Sequence, residues 1–307
     1  MDTTLTTILG SLANVILVLL IAPLCQGLLR KVTAFIQSRQ GPPIWQAYYD
    51  LLKLLGKEDL ESGDSPVMQR FAVYLSLATV LSVACLIPMG FKAPMTTAGD
   101  SILLIYLLTL SGICTLLGGL AAGSTYSLVG ISRQMMIMIA LEPLFAIAIL
   151  VGAVHTKTFR LDTVLNGSVY EASGFPFSGL IMLGVMLLSF QAFVERVPFD
   201  TAEAETEIME GPLMEYSGPK LAMFQYAGMV KLVIYSALFV AMFVPWGSEL
   251  LLPFGWLLFW AKVFLLVLLV TVVAATHARY RIDQALRFFV SLLVVALAAL
   301  GLASYGW

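Results

Sequence analysis

The 307-residue chain is 60% hydrophobic and only 12% charged, with 17 basic and 19 acidic residues giving a formal net charge of −2. Average soluble domains hold roughly 25% charged residues, so the composition excludes an ordinary soluble protein, and without a basic excess no nucleic-acid partner is expected. Apolar stretches near the ~20 residues needed to cross a ~30 Å hydrocarbon core recur, whereas ten-residue alternating strands are absent, which predicts an all-α integral membrane protein in the lipid bilayer.

About eight transmembrane helices are expected, at about 8–29, 71–90, 101–121, 134–154, 178–195, 225–247, 254–276 and 286–304. No basic residue precedes the first apolar run and Arg30-Lys31 follow it, so this run reads as a permanent span rather than a cleavable signal. The loop 30–70 comes next. Gly41-Pro42-Pro43 breaks the chain, and Ile44, Tyr48, Leu51, Leu52 and Leu55 then recur at helical spacing opposite Gln46, Asp50, Lys53 and Lys57. That pattern predicts an amphipathic helix at the membrane surface, which either anchors in the headgroup layer or lines a cavity and docks a partner. Gly112, Gly118 and Gly119 in the third span read as close helix packing, and Met135, Met136 and Met138 read as core filler.

The fourth span places Glu142 about eight residues deep, roughly 12 Å at 1.5 Å per residue. A glutamate at that depth is too short to snorkel, and such a carboxyl is suited to taking up and releasing protons. Pro143 follows it and cannot donate to the carbonyl at position 139. Lys231 in the sixth span either snorkels or pairs, and Lys262 lies about eight residues into the seventh.

The loop 196–224 is the second long one on its side. Glu195, Asp200, Glu203, Glu205, Glu207, Glu210 and Glu215 place seven of the 19 acids within 21 residues. Asp200 and Glu203 have the spacing of a helix start, with Gly211-Pro212 ending the helix. At about 100° per residue, Glu203, Glu207 and Glu210 would share one face and Glu205 the other. Acids favour a helix N-terminus, and a charge run is commonly a solvated face. Like charges four residues apart repel, however, which favours a functional reading: holding protons, steering cations, or docking a basic partner.

Loop charge fixes the orientation. Arg30, Lys31, Arg39, Lys53, Lys57, Arg70, Arg133, Arg196, Lys220, Arg279, Arg281 and Arg287 fall on one side, and only Lys92, Lys157 and Arg160 on the other. The rich side is cytoplasmic by the positive-inside rule, with both termini outside. The whole of 1–307 reads as one membrane domain, with loops 30–70 and 196–224 forming a cytoplasmic docking face. Cys25, Cys85 and Cys114 fall in separate predicted spans without a CxxC, and His155 and His277 sit near opposite faces. No metal or cluster site is expected in this chain, and no nucleophile–base motif, P-loop or dinucleotide fingerprint is present.

These segments resemble a known family across most of the chain. The run Glu195-Arg196-Val197-Pro198-Phe199-Asp200 with Glu203-Ala204-Glu205, Glu207, Glu210-Gly211 and Glu215-Tyr216-Ser217-Gly218 carries the resemblance. So do Arg39, Gly41-Pro42, Gln46, Asp50, Lys53-Leu54 and Lys57-Glu58, and the set Tyr126, Gly130, Arg133 and Glu142. They look like the eight-helix subunit that anchors the peripheral arm in respiratory complex I, in group 4 membrane-bound nickel–iron hydrogenases and in formate hydrogenlyases. The resemblance implies a non-catalytic subunit of an oxidoreductase in a bacterial or archaeal cytoplasmic membrane. Its implied partners are hydrogenase large and small subunits, iron–sulfur subunits and an antiporter-like membrane subunit. The nickel–iron centre and clusters would lie in those partners, with no cofactor in this chain.

The resemblance further implies an ion path, for protons or sodium, through Glu142, Lys231, Lys262 and the acidic segment. A docking or cavity surface would be formed by Arg39, Gln46, Asp50, Lys53, Arg133, Arg196 and Tyr216. Two departures select the hydrogenase branch. The Gly41-Pro42-Pro43-Ile44-Trp45-Gln46 stretch is contracted relative to complex I, and Thr125 replaces a usual lysine. Both fall where a quinone chamber would be shaped. The alternatives are a quinone-chamber subunit of complex I type and, from another class, a self-contained ion-coupled transporter, although no internal repeat or paired broken helices favour the latter.

Overall fold

A chain can cross lipid only if its backbone amides and carbonyls satisfy one another within the crossing segment, and long runs of Leu, Val, Ile and Ala free of breakers do so as helices. The computed structural model describes residues 2–60, 65–90, 95, 99–247 and 253–307, the side chains of 2–6, 205 and 206 excepted. Lys92 therefore lies outside the described residues. Eleven α-helices follow in order among those described: α1 (Asp2–Ile36), α2 (Gln46–Leu55), α3 (Pro66–Leu86), α4 (Ser101–Ala122), α5 (Thr125–Thr156), α6 (Leu161–Val164), α7 (Phe177–Phe193), α8 (Glu205–Ile208), α9 (Gly218–Phe243), α10 (Phe254–Thr276) and α11 (Ile282–Ser304). The described residues form no sheet, only an isolated bridge between Asp100 and Arg160.

Seven of these helices are long and apolar enough to cross a membrane. The eighth expected span is α7, an apolar helix of 17 residues, about 25 Å at 1.5 Å per residue. Helices α3, α5, α9 and α11 begin four to nine residues before the spans read from the sequence. Hydropathy marks only the oily part of a helix, whereas polar residues such as Gln69, Arg133 and Lys220 extend it without breaking it. Helix α9 forms the centre, buried along nearly its whole length from Met229 to Phe243 and packed against α1, α2, α3 and α10. The outer helices α10 and α11 expose Leu265, Val290 and Val294, which suits a lipid-facing wall rather than a wet one.

The expected helix across 200–210 is not formed. Glu195 has φ +55°, and the chain then turns inward to bury Phe199 among Tyr280, Phe288 and Phe289, with ring centroids 5.4, 5.6 and 4.8 Å away. Only the four-residue α8 is helical, and Met209 and Glu210 end it with φ of +49° and +66°. Side chains in this left-handed region do not continue a right-handed helix. The carboxylates thus take separate directions instead of sharing a face.

The amphipathic helix is present as α2. Ala47 and Leu51 are buried while Trp45, Tyr49, Leu52 and Leu55 are exposed. The chain entering it crosses α1 at Gly27, where an added Cβ would fall 1.9 Å from the Ile44 carbonyl oxygen. Glycine at that position is what lets the backbones touch.

Candidate functional site

Four acids and one base converge on a single cavity. Glu142 from α5, Lys231 and Tyr235 from α9, and Glu195, Asp200 and Glu203 from the segment after α7 all line it, with Met138 and Phe145 among its apolar walls. About 70 Å³ of it is open to the centres of water-sized molecules, several times the ~10–15 Å³ that one water requires. A second cavity, toward Ser76, Ser111 and Thr115 of α3 and α4, shares Gln134, Glu195, Glu203 and Lys231 with the first. The shared residues form the junction between two hydratable spaces.

Lys231 Nζ donates to Glu195 Oε1 at 2.6 Å, and Gln134 Nε2 reaches the same oxygen at 3.4 Å while donating to Thr115 Oγ1 at 2.9 Å. Lys231 is largely withdrawn from water and Glu195 only partly, so the lysine carries most of the desolvation cost, offset by a partner held in place at the end of α7. Asp200 accepts from Arg279 at 3.0 Å through Oδ2, while its buried Oδ1 has no hydrogen-bond partner among the described residues. Burial holds the Asp200 carboxyl above its usual range, against the pull of Arg279.

Glu203 faces the same space without an ion-pair partner among the described residues. Burial, reinforced by the neighbouring Glu195 and Asp200, pushes its carboxyl up to about 8. With Glu195 paired to Lys231 and Asp200 to Arg279, ionised Glu142 and Glu203 together would leave this enclosure with excess negative charge. A proton on Glu203 relieves that charge, which is the expected behaviour of crowded carboxylates.

The acidic segment is clamped from several sides. Arg133 of α5 donates to Glu207 at 2.7 Å and to the Thr201 carbonyl at 3.4 Å. The Arg133 guanidinium holds the Glu207 carboxyl below its usual range. Gly130, one turn before Arg133, lies under the segment, and a Cβ there would meet Pro212 at 2.8 Å and Gly211 at 2.9 Å. Tyr216 donates to the Gly118 carbonyl at 2.8 Å and packs edge-on against Phe224. Lys220, buried, pairs with Asp59 at 3.3 Å and ties this segment to the first loop.

Other residues expected at the site lie elsewhere. Lys262 donates to the carbonyls of Val244 and Trp246 after α9, at the opposite end from the acidic segment, and does not join the cluster. Glu210 is exposed and Glu215 partly buried. The side chain of Glu205 lies outside the described residues. In the first loop, Asp50 accepts from Arg30 at 2.6 Å and from Gln46 at 2.9 Å, and these partners hold its carboxyl down. Lys53 and Arg39 are exposed, and Arg196 donates to Gln26 at 2.6 Å.

Sequence reasoning missed Gln134, Tyr235 and the pairing role of Arg279. Gln134 offered a signal, as an amide at the mouth of an apolar span beside Arg133. Tyr235 lies four residues after Lys231 and so on the same helical face. Nothing local to Arg279 pointed to Asp200, 79 residues away.

Comparison with known proteins matches this architecture throughout. A family model described as NADH dehydrogenase matches residues 9–304. The chain is similar to hydrogenase-4 component C of Escherichia coli, 34% identical over 274 residues that cover 88% of this chain and 86% of that protein. It is 30% identical to formate hydrogenlyase subunit 4 of the same organism over 90% of this chain and 92% of that one. Similarity to NADH-ubiquinone oxidoreductase chain 1 of Paracentrotus lividus is 33% over 92% and 89%. Among solved structures, a chain of the membrane-bound sulfane sulfur reductase, an archaeal respiratory membrane complex, superposes with a TM-score of 0.85 at 25% identity, covering 97% of this chain and all of that one.

Proposed function

This chain belongs to the NADH dehydrogenase family of membrane subunits, which joins complex I subunit 1/H to hydrogenase and formate hydrogenlyase subunits, and from that premise we propose how it works. It is a multi-pass membrane subunit of a respiratory or hydrogenase complex. Its cytoplasmic loops hold a peripheral arm of hydrogenase and iron–sulfur subunits, and an antiporter-like subunit adjoins it in the membrane. The nickel–iron centre and clusters belong to those partners.

The observation that carries the ion-path reading is the cavity joining Glu203 and the Lys231–Glu195 pair to Glu142 inside α5. The cytoplasmic segment supplies a carboxyl that holds a proton near neutral pH, and the lysine supplies a fixed charge whose balance changes when that proton leaves. Glu142 provides the next carboxyl inward. This arrangement moves protons along side chains and water, with no redox group needed in the chain. The test is Glu142→Gln in the assembled complex. Turnover or proton movement should fall several-fold while the complex still assembles. Unchanged turnover together with unchanged proton movement would remove Glu142 from the path.

A further inference from the structure

We propose that the cavity between α1, the turn after it and α10 binds a phosphate oxyanion, carried there by the headgroup of an anionic phospholipid. The cavity measures about 400 Å³. Arg30, Arg39 and Arg196 line it together with Gln26, Gln37 and Gln40, and no carboxylate is among its lining residues. Arg30 shares its charge with Asp50, but Arg196 meets only the neutral oxygen of Gln26 at 2.6 Å. Arg39 has no carboxylate within ion-pair distance among the described residues. The Arg39 guanidinium thus faces a polar space without a carboxylate partner, and Arg196, which also acts on the Asp200 and Glu203 carboxyls from its other side, reaches this space with no carboxylate in direct contact. Paired guanidinium N–H donors match phosphate oxygens in geometry as well as charge.

Depth selects the source of the phosphate. Thr271 and Ala274 in the wall lie five and two residues before the end of α10 at Thr276, about 7.5 and 3 Å at 1.5 Å per residue. The floor therefore belongs to the spans and the rim, with Arg39 and Gln40, to the cytoplasmic turn. That is the headgroup layer, where lipid phosphate is always at hand and where basic pockets between transmembrane helices capture anionic heads. Val272, beside Thr271, is 47% exposed and offers an apolar surface for an acyl chain. The site is separate from the carboxylate cavity, since the consecutive residues Glu195 and Arg196 line different spaces.

The test uses the purified intact complex, delipidated and titrated with phosphatidylglycerol, phosphatidylcholine or inorganic phosphate, with retained ligand read by native mass spectrometry. Phosphatidylglycerol should be retained in clear preference to phosphatidylcholine. Arg39→Gln should cut that preference about fivefold in complex that still carries its peripheral arm, and Arg196→Gln likewise. Equal retention of the two lipids, or a preference that survives both substitutions, overturns the site. Displacement by inorganic phosphate at matched concentration overturns the lipid source in favour of free phosphate. Retention of none of the three by the intact complex overturns the proposal in favour of an acidic segment of a partner.

Discussion

Replacing Glu203 by glutamine should remove a pH dependence that the wild-type protein shows around pH 8. The carboxyl is moved from 4.5 to about 8 by burial and by the nearby Glu195 and Asp200. At pH 7 roughly ten molecules carry the proton for each that does not, and at pH 9 the ratio inverts. The folded protein holds this proton more tightly than the unfolded chain does. The associated stability is therefore complete below about pH 4.5 and is lost as the pH rises toward 8. At ~1.4 kcal/mol per unit, and flattening near the upper end, the loss between pH 6 and 8 comes to about 2 kcal/mol.

Two measurements read this out. Infrared difference spectra of the complex across pH 6 to 10 should contain a protonated-carboxyl band with a midpoint near 8, absent in the glutamine variant. Thermal stability should fall from pH 6 to about 8 and level off above that in the wild type, and stay flatter in Glu203→Gln. A band that persists in the variant, or parallel stability profiles for the two proteins, would refute the assignment of the proton to Glu203.

Three further outcomes follow from the same geometry. Lys231→Ala should destabilise the membrane domain by ~1–3 kcal/mol, because it leaves the partly buried Glu195 carboxylate with only the long contact from Gln134, and adding Glu195→Gln should restore part of that loss in a double-mutant cycle. Gly130→Ala should loosen the acidic segment, since the new Cβ meets Pro212 and Gly211 at 2.8 and 2.9 Å; proteolysis or hydrogen exchange over 200–215 should accelerate while the spans stay protected. Glu207→Gln should cost no more than ~1 kcal/mol, as its pair with Arg133 is half-exposed, and a larger loss in denaturant or heat would mean the pair does more than hold the loop.

The reading from sequence succeeded where the signal is carried by a few adjacent residues and failed where it depends on distant ones. Span positions were legible because twenty oily residues specify a helix in lipid almost regardless of neighbours. Glu142 stood out as an acid among apolar residues, and Gly130 and Arg133 were recognised as motif residues before any reason was visible. The structure supplies the reason: one lets the acidic segment lie on α5 and the other clamps it through Glu207. The helical phase of 200–210 was wrong because Phe199 found a pocket on α11 and the chain beneath it turned inward, a tertiary event that local periodicity does not encode.

That error bears directly on the chemistry. A single amphipathic helix would have given Glu203, Glu207 and Glu210 one environment and similar proton affinities. The turns separate them instead. Glu207 is neutralised outside by Arg133, Glu210 is exposed, and Glu203 is folded in beside Glu195 and Asp200, whose negative charges oppose its own ionisation. A proton step requires groups whose affinities differ at one pH, and folding Glu203 and Asp200 inward while Glu207 stays outside against Arg133 raises the first two and lowers the third without any change of residue type.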